Sequence, residues 1–347
     1  MKKKSLDEIN GSVNVPTVYE SAFWQKFLAY SGPGALVAVG YMDPGNWLTS
    51  LAGGGQYGYT LLSVLFVSII VAMIMQSLSI RLGVVTRTDL AQAIAQRVPK
   101  PVRIGLWLLN ELAMMATDLT GVVGTSIALY LLFHLPLIVG VFLTVADVLV
   151  VLVFLRFGIR RVEFIVLTTI LVVGAIFTIE VCRAHPSWLA ILNGIIPQSK
   201  IITNHSELLL SLGIIGATIM PHNIYLHSAL AQSRRYDEHD PAQVTETLKF
   251  ANWDSIIHLI AALIVNALLL ILGGTLFFHT ASLNSLADVF YGLKNPQIVG
   301  TLSSPVMSWL FGFALLITGL ISSITSTLAG QIVMEGYINI RLPLWKR

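Results

Sequence analysis

The sequence predicts an all-α protein that crosses a membrane several times. Of its 347 residues, 55% are hydrophobic and only 11% are charged, whereas soluble domains carry about 25% charged residues. The apolar residues form long runs, and about 20 of them in a helix cross the hydrocarbon core. This composition excludes a soluble globular protein and a disordered chain. The net charge of +3 gives no indication of a nucleic-acid partner, and the single cysteine, Cys182, excludes a thiolate metal cluster.

Eight apolar runs are long enough to cross the bilayer, so we predict about eight membrane segments. They cover residues 28–56, 59–80, 103–133, 136–155, 162–182, 207–232, 253–278 and 306–338. The longer predicted loops are 183–206 and 279–305 on one side and 81–102 and 233–252 on the other. None of these loops has room for a separate soluble domain.

The basic residues predict the orientation of the chain. If the N-terminus lies inside, only Arg183, Lys200 and Lys294 of the 21 lysines and arginines fall outside, as the positive-inside rule requires. The first 20 residues contain no apolar signal-peptide core. We therefore expect residues 1–27 to form a cytoplasmic tail, both termini to be cytoplasmic, and the protein to be a multi-pass component of the cell membrane.

The first and sixth predicted segments are each interrupted near the middle. Residues 40–46, the first break, contain Pro44 and Gly45, and residues 216–223, the second break, contain Pro221. Proline removes a helical hydrogen bond and glycine loosens the backbone. Because the two segments lie five apart, they run in opposite directions, and matched breaks of this kind indicate an inverted-repeat transporter with a midplane site. The alternative is that the prolines only kink two helices.

Side chains at the breaks could bind a cation. Asp43 is a carboxylate within an apolar segment, where an ionised group costs at least ~2.5–3.5 kcal/mol. Asn46 adds an amide oxygen, and the second break adds a freed carbonyl at Ala217 and the Met220 thioether. Oxygen ligands alone suit Mg²⁺ or Ca²⁺, whereas a sulfur ligand favours Mn²⁺, Fe²⁺ and heavier transition metals. The alternative for Met220 is a space-filling methionine.

Three motifs carry a resemblance to a known family. Residues 43–46 read Asp-Pro-Gly-Asn, residues 220–223 read Met-Pro-His-Asn, and 322–325 with 330–336 read Ser-Ser-Ile-Thr and Gly-Gln-Ile-Val-Met-Glu-Gly. Together they resemble the signature motifs of the Nramp family of proton-coupled divalent-metal transporters, and within it the bacterial manganese transporters. The motifs lie at the start, middle and end of the chain, so the resemblance covers nearly all of it.

The resemblance implies a leucine-transporter-type fold with two inverted five-helix repeats and discontinuous helices 1 and 6. It implies that Asp43, Asn46, the Ala217 carbonyl and Met220 hold the metal, which is imported as a substrate, with no prosthetic group. Residues 28–182 would be the first repeat, 183–206 an external loop and 207–347 a second repeat with three helices. Bacterial relatives commonly have about eleven helices, so we expect a product truncated at the C-terminus; the alternative is that the missing helices come from elsewhere.

Further ionisable groups within the segments suggest a proton route. Glu111 and Asp118 are seven residues apart and share one helix face, and His222 and His227 follow the second break. Such groups can form a proton relay, and the resemblance assigns Asp43, Glu111, Asp118 and His222 to it. The alternatives are hydrogen-bonded core histidines and an ion pair between Asp118 and an arginine.

One position departs from the pattern of the family. Many relatives carry a glutamate three residues after the aspartate of the third helix, where this chain has Gly121. One acidic group of the proton route usual in the family is therefore missing from this chain.

Three other functions fit the sequence less well. An organic-solute symporter of the same fold would bind a carboxylate that Asp43 repels, and a magnesium carrier would not use Met220. A membrane di-iron enzyme needs clustered histidines, whereas the 8 histidines here are scattered. We therefore predict a transporter rather than an enzyme.

Overall fold

The computed structural model describes residues 9–16, 22–144, 158–278 and 283–340. Helices dominate this part of the chain. They are Phe23–Tyr30 (α1), Pro33–Gly40 (α2), Pro44–Tyr57 (α3), Leu62–Thr86 (α4), Leu90–Ala95 (α5), Lys100–Phe133 (α6), 137–144 (α7), Ile159–Ala184 (α8), Trp188–Gly194 (α9), Lys200–Thr203 (α10), His205–Thr218 (α11), Pro221–Leu230 (α12), Pro241–Leu276 (α13), Leu286–Gly292 (α14), Pro296–Val299 (α15) and Pro305–Ile338 (α16). Two-residue strands, Val13–Asn14 (β1) and Arg234–Arg235 (β2), pair in parallel.

The prediction of a polytopic helical membrane protein is confirmed. Six helical stretches in the described residues are long and apolar enough to cross a membrane. They are Leu62–Thr86, Lys100–Phe133, Ile159–Ala184, His205–Ser233, Pro241–Leu276 and Pro305–Ile338. The first predicted segment is divided into α2 and α3, each of which is shorter than a full span. The fourth begins with α7, and its remainder falls outside the described residues.

Several predicted boundaries were wrong. Much of the predicted loop 233–252 is helical, because Asp240 caps α13 by accepting a hydrogen bond from the backbone N–H of Ala242 and Pro241 occupies the first helical position. The polar first turns of α13 therefore extend a membrane helix that we expected to begin at residue 253. The predicted start of the first segment at residue 28 was also wrong, because residue 28 lies inside a separate short helix, α1, which ends at Tyr30.

Small residues bring the long helices close together. The α6 and α16 helices cross where a Cβ added to Gly319 would clash with Thr125, and α3 meets α13 where a Cβ on Gly54 would clash with the Leu270 carbonyl. Close approach through small residues is the usual way in which membrane helices pack. At the first break itself, a Cβ on Gly124 of α6 would clash with Pro44, and α2 and α3 both contact α13 and α16.

The halves of the two broken helices pair crosswise. The α2 helix packs on α12, and α3 packs on α11. This is the arrangement expected when two interrupted helices run antiparallel. Both breaks are therefore placed side by side within the helical bundle.

Candidate metal site

The first break is organised by Asp43, which is the N-cap of α3. Its Oδ1 accepts hydrogen bonds from the backbone N–H of Asn46 at 2.8 Å and from Asn46 Nδ2 at 2.7 Å. Its Oδ2 accepts a hydrogen bond from Thr120 Oγ1 of α6 at 3.3 Å. Pro44 and Gly45 form the first turn of α3. The Asp43 residue is only 6% exposed, so a carboxylate with capping geometry lies buried among membrane helices.

Side chains satisfy part of the exposed backbone of the first break. The Met42 carbonyl accepts a hydrogen bond from Trp47 Nε1 at 2.9 Å, and the Tyr41 carbonyl accepts one from Asn266 Nδ2 of α13 at 2.7 Å. Inside a membrane, irregular backbone requires such partners or a ligand. The sequence did not identify Trp47 or Asn266 in this role.

The second break lies between α11 and α12. Met220 has an extended backbone (φ −87°, ψ 117°), as expected for a residue before proline. Pro221 lacks the N–H that would reach back to the Ala217 carbonyl in an unbroken helix. In the first break, Pro44 likewise lacks the N–H that would reach back to the Gly40 carbonyl. Met220 is only 5% exposed, so its sulfur is not a surface group.

Asn223 connects the two breaks. A Cβ built on Gly40 would lie 2.5 Å from Asn223 Nδ2, so the missing side chain of Gly40 leaves the space that the Asn223 amide occupies. Asn223 Nδ2 in turn lies 3.7 Å from Met220 Sδ. Asn223 Oδ1 is buried and has no hydrogen-bond partner in the described part of the chain. The structure therefore brings the two breaks into contact.

The donors at the breaks are chemically mixed. They comprise the Asp43 carboxylate, the Asn46 amide, the Ala217 carbonyl and the Met220 thioether. The described residues contain no group of three or more histidines, cysteines, aspartates or glutamates that could hold a metal. A metal at the breaks would therefore be held by one carboxylate together with neutral oxygen and sulfur.

Two acidic residues of α6 are half-buried and contact different neighbours. Glu111 Oε1 accepts a hydrogen bond from Trp107 Nε1 at 2.9 Å, and Asp118 Oδ1 accepts one from Ser326 Oγ of α16 at 2.7 Å. The observed partner of Asp118 is thus a hydroxyl from the third motif region, and no ion pair of Asp118 with an arginine occurs among the described residues. Thr120, which contacts Asp43, lies on the same helix.

The two histidines after the second break are buried on α12. His227 Nδ1 lies 2.9 Å from Gln76 Oε1, and Gln76 Nε2 donates to the Tyr41 hydroxyl at 2.9 Å. His227 is therefore connected to the first break through α4. His222 occupies the first turn of α12, immediately after Pro221. The described hydrogen bonds do not join either histidine to Glu111 or Asp118.

A buried ionic cluster at the corner between α1 and α2 was missed by the sequence analysis. Arg234 and Glu163, which are 2% and 3% exposed, form an ion pair at 2.7 Å. Arg234 also donates to the carbonyls of Tyr30 and Ser31. We call these residues, together with Asp254, the corner cluster.

Asp254 completes the corner cluster from α13. It accepts hydrogen bonds from the backbone N–H groups of Gly32 at 3.1 Å and Gly34 at 2.7 Å, and it pairs with His258 at 3.0 Å. The sequence contained one indication of this cluster, because Glu163 and Asp254 are carboxylates within apolar segments. A carboxylate in such a position indicates a structural or functional role. Glu180 of α8 gave the same signal, and it is fully buried with no hydrogen-bond partner for either carboxylate oxygen in the described chain.

Comparison with known proteins agrees with this architecture. Residues 34–347 match the Nramp family, described as natural resistance-associated macrophage protein-like. The chain is 52% identical over 343 residues to the divalent metal cation transporter MntH of Pediococcus pentosaceus, covering 99% of this chain and 76% of that protein. It is 50% identical over 345 residues to the MntH of Staphylococcus aureus, with coverage of 99% and 76%.

A solved structure shows the same fold. The crystal structure of the Eremococcus coleocola manganese transporter in complex with an aromatic bis-isothiourea substituted compound superposes with a TM-score of 0.92 at 45% identity, covering 99% of this chain and 72% of that one. The predicted leucine-transporter-type fold with discontinuous helices 1 and 6 is thus confirmed. With its broken helices in contact and the family match running from residue 34 to residue 347, the chain belongs to the Nramp family.

Proposed function

We propose that this chain transports Mn²⁺, Fe²⁺ and similar divalent transition metals into the cell. The ion would bind between the two breaks through Asp43, Asn46, the Ala217 carbonyl and Met220. The observation that carries the proposal is the contact of the breaks through Asn223, which touches Gly40 and lies 3.7 Å from the Met220 sulfur. The names of the relatives, divalent metal cation transporters and a manganese transporter, support the same substrate class.

The proposed ligands explain both binding and selectivity. The buried Asp43 carboxylate offsets part of the charge of a dehydrated divalent ion, and the amide and carbonyl oxygens replace water. The thioether contributes little to binding a hard cation such as Ca²⁺ or Mg²⁺ but suits softer transition metals. Interrupted helices can change the direction of their halves at the break, which supports alternating access around the site.

Proton symport is the second part of the proposal. Asp43, Glu111, Asp118, His222 and His227 would carry the proton, and the Thr120–Asp43 and His227–Gln76 contacts supply connections to the first break. At Gly121, the position of the missing acidic group, a Cβ would lie 3.6 Å from the Gly319 carbonyl, an ordinary contact. The glycine is thus not imposed by helix packing there, and the proton route must manage without that group.

The organisation of the chain in the membrane is also a proposal. Residues 28–182 would form the first repeat and the chain from residue 207 the second, with 183–206 as an external loop. Both termini would be cytoplasmic, and the protein would lie in the cell membrane with the lipid bilayer as its surroundings. The distribution of lysines and arginines supports this orientation.

The test is Mn²⁺ uptake into vesicles containing the full chain and an internal pH dye. We expect uptake together with internal acidification. Asp43→Asn keeps a good helix cap but removes the negative charge, so uptake and Mn²⁺ binding by calorimetry should both be lost.

The matched control is Asp240→Asn, the same change at the N-cap of α13, which should transport normally. Unchanged Mn²⁺ affinity in Asp43→Asn would show that the metal site is wrongly assigned. Uptake of Mn²⁺ without acidification would leave metal transport intact and remove proton symport. If Asp43→Asn loses Mn²⁺ binding but the unmodified chain shows no uptake, the protein binds the metal without transporting it.

A further inference from the structure

Three aromatic side chains form a layer next to the first break. Trp47 of α3 lies one turn after Asp43, and its ring centroid is 4.8 Å from that of Phe177 of α8 and 5.7 Å from that of Phe311 of α16. The centroids of Phe177 and Phe311 are 6.4 Å apart, and all three side chains are fully buried. We call these three residues the aromatic layer.

Three polar residues lie one turn away from the aromatic layer. Ser50, Glu180 and Ser308 are each three residues from one of the rings, on α3, α8 and α16 respectively. Residues three apart share a helix face, so these residues lie on the faces that bring the rings together. Their exposed fractions are 2%, 0% and 0%. We call them the polar layer.

The polar layer lies on one side of the rings. A Cβ on Gly32 would clash with Glu163, and Trp47 contacts Phe177, so the first segment and α8 run in the same direction. The α16 helix is the eighth segment and α8 the fifth, so α16 runs the opposite way. Three residues forward on α3 and α8 and three residues back on α16 therefore reach the same side, away from the first break. This is the side that we propose to be external.

Glu180 has no partner in this enclosure. Neither of its carboxylate oxygens has a hydrogen-bond partner in the described chain, and the Ser308 hydroxyl has none either. Arg183, three residues farther along α8, is exposed, and it forms no ion pair with Glu180. The carboxyl group is therefore buried without water, a hydrogen bond or a counterion.

The helices packed against α8 bring no charge to this level. Residues 33–40 of α2, 259–276 of α13 and 305–325 of α16 contain no titratable side chain, and α3 contains only Tyr57, two turns beyond Ser50. An ionised carboxylate in such surroundings is very costly. A carboxyl group enclosed in an apolar site can instead remain a neutral acid.

A metal ion fits the polar layer less well than a proton. Hard divalent cations take about six or more oxygen ligands, whereas the layer offers one carboxylate and two hydroxyls. A proton needs one carboxylate oxygen and leaves the group uncharged. The enclosure of Glu180 is therefore matched to a proton.

We infer that Glu180 is a proton-binding site, occupied by a proton while the aromatic layer is closed. When the rings separate and water reaches the polar layer, the carboxyl group can release that proton to water. Before the rings close again, a carboxylate oxygen takes a proton from a hydronium ion and leaves a water molecule. Closure of the layer thus takes up one proton at Glu180. The inference rests on the packing of α3, α8 and α16 and does not depend on the metal site.

Infrared spectroscopy of the full chain in lipid vesicles at neutral pH tests the inference, because protonated and ionised carboxyl groups absorb differently. Glu180→Gln keeps the shape of the side chain and removes the proton-binding group. We expect this variant to lose absorption of a protonated carboxyl group and to keep that of the ionised carboxylates. Glu238→Gln is the control, since Glu238 is 49% exposed and pairs with Arg87, and it should lose ionised carboxylate instead. Loss of ionised carboxylate in Glu180→Gln would overturn the inference.

A second pair of variants tests whether the rings hold the proton in place. Phe311→Ala opens a cavity beside the polar layer, where water finds polar partners, so the protonated absorption of Glu180 should decrease and ionised carboxylate should increase. Phe313→Ala, at a position on α16 that is 47% exposed, should leave both unchanged. Equal retention of the protonated absorption by the two variants would overturn the role of the aromatic layer. If Phe311→Ala does not fold, the spectrum of Glu180→Gln decides the outcome.

Discussion

Gly40 of the first break and Asn223 of the second break are in direct contact, with the Asn223 amide in the space that a Cβ at Gly40 would fill. The two residues are far apart in sequence. The carbonyl of Gly40 is freed by Pro44, and Asn223 lies three residues after the proposed ligand Met220. The contact positions Asn223, whose Nδ2 reaches the Met220 sulfur. The proposed site therefore requires glycine at position 40, because a side chain there would displace the Asn223 amide.

Replacing that hydrogen should disturb the metal site. In Gly40→Ala the new methyl group displaces the Asn223 amide, and with it the support of Met220, so Mn²⁺ affinity measured by calorimetry should fall at least about tenfold, or about 1.4 kcal/mol. Gly216→Ala is the matched control, because a Cβ there meets nothing within 4 Å. Equal affinities of the two variants would show that the contact does not position a ligand.

Removing the sulfur should change selectivity more than affinity. Met220→Ala leaves the oxygen ligands in place, so Mn²⁺ should still bind, while Ca²⁺ or Mg²⁺ should compete more effectively. Competition calorimetry measures the change, and Met307→Ala, another buried methionine, serves as the control. If both variants reject Ca²⁺ as strongly as the unmodified chain, the sulfur does not discriminate between metals.

Breaking the ion pair of the corner cluster should destabilise the protein. Glu163→Gln leaves the buried Arg234 charge without its partner, and we expect a loss of about 3–5 kcal/mol in unfolding free energy, measured by denaturation in detergent. Glu238→Gln is the control, since Glu238 pairs with Arg87 at 3.3 Å but its side chain is 49% exposed, and such pairs contribute about 0–1 kcal/mol. Losses of similar size would mean that the buried pair is not a major stabilising contact.

Two helical glycines should respond oppositely to alanine. A Cβ at Gly83 of α4 would clash with the Ser228 carbonyl of α12, whereas Gly105 of α6 has open space around it. Gly83→Ala should therefore lower stability by about 1–3 kcal/mol, and Gly105→Ala should be neutral or stabilise the helix by up to about 1 kcal/mol. Thermal unfolding of the two variants measures this difference. A neutral Gly83→Ala would contradict the close approach of α4 and α12.

The breaks could be predicted from sequence because their causes are local. Proline and glycine interrupt a helix wherever they occur, and the Asp-Pro-Gly-Asn order places an N-cap three residues before an amide that it can bind. The predicted ligands Asp43 and Asn46 are indeed hydrogen-bonded to each other. Whether all four proposed ligands converge on one ion is still a prediction.

The remaining features depend on contacts between distant elements. The partners of Tyr41, Glu163 and Asn223 are set by how α13, β2 and α2 pack, which no local pattern encodes. The corner of α1 and α2 was missed because Phe23–Tyr30 continues the apolar character of the next segment. The start of α13 was missed because its first turns are polar, so hydropathy did not reveal them.

The pairing of β1 with β2 bears on the order of biosynthesis. Val13 leaves the ribosome early, but its partner Arg234 is made only after α12, and chains begin to fold from the N-terminus during synthesis. β1 therefore cannot pair with β2 until the intervening helices have been made and have entered the bilayer. Pairing of the two strands is a late step in folding. A bulky fusion placed just before Val13 would obstruct this pairing rather than insertion of the first helices.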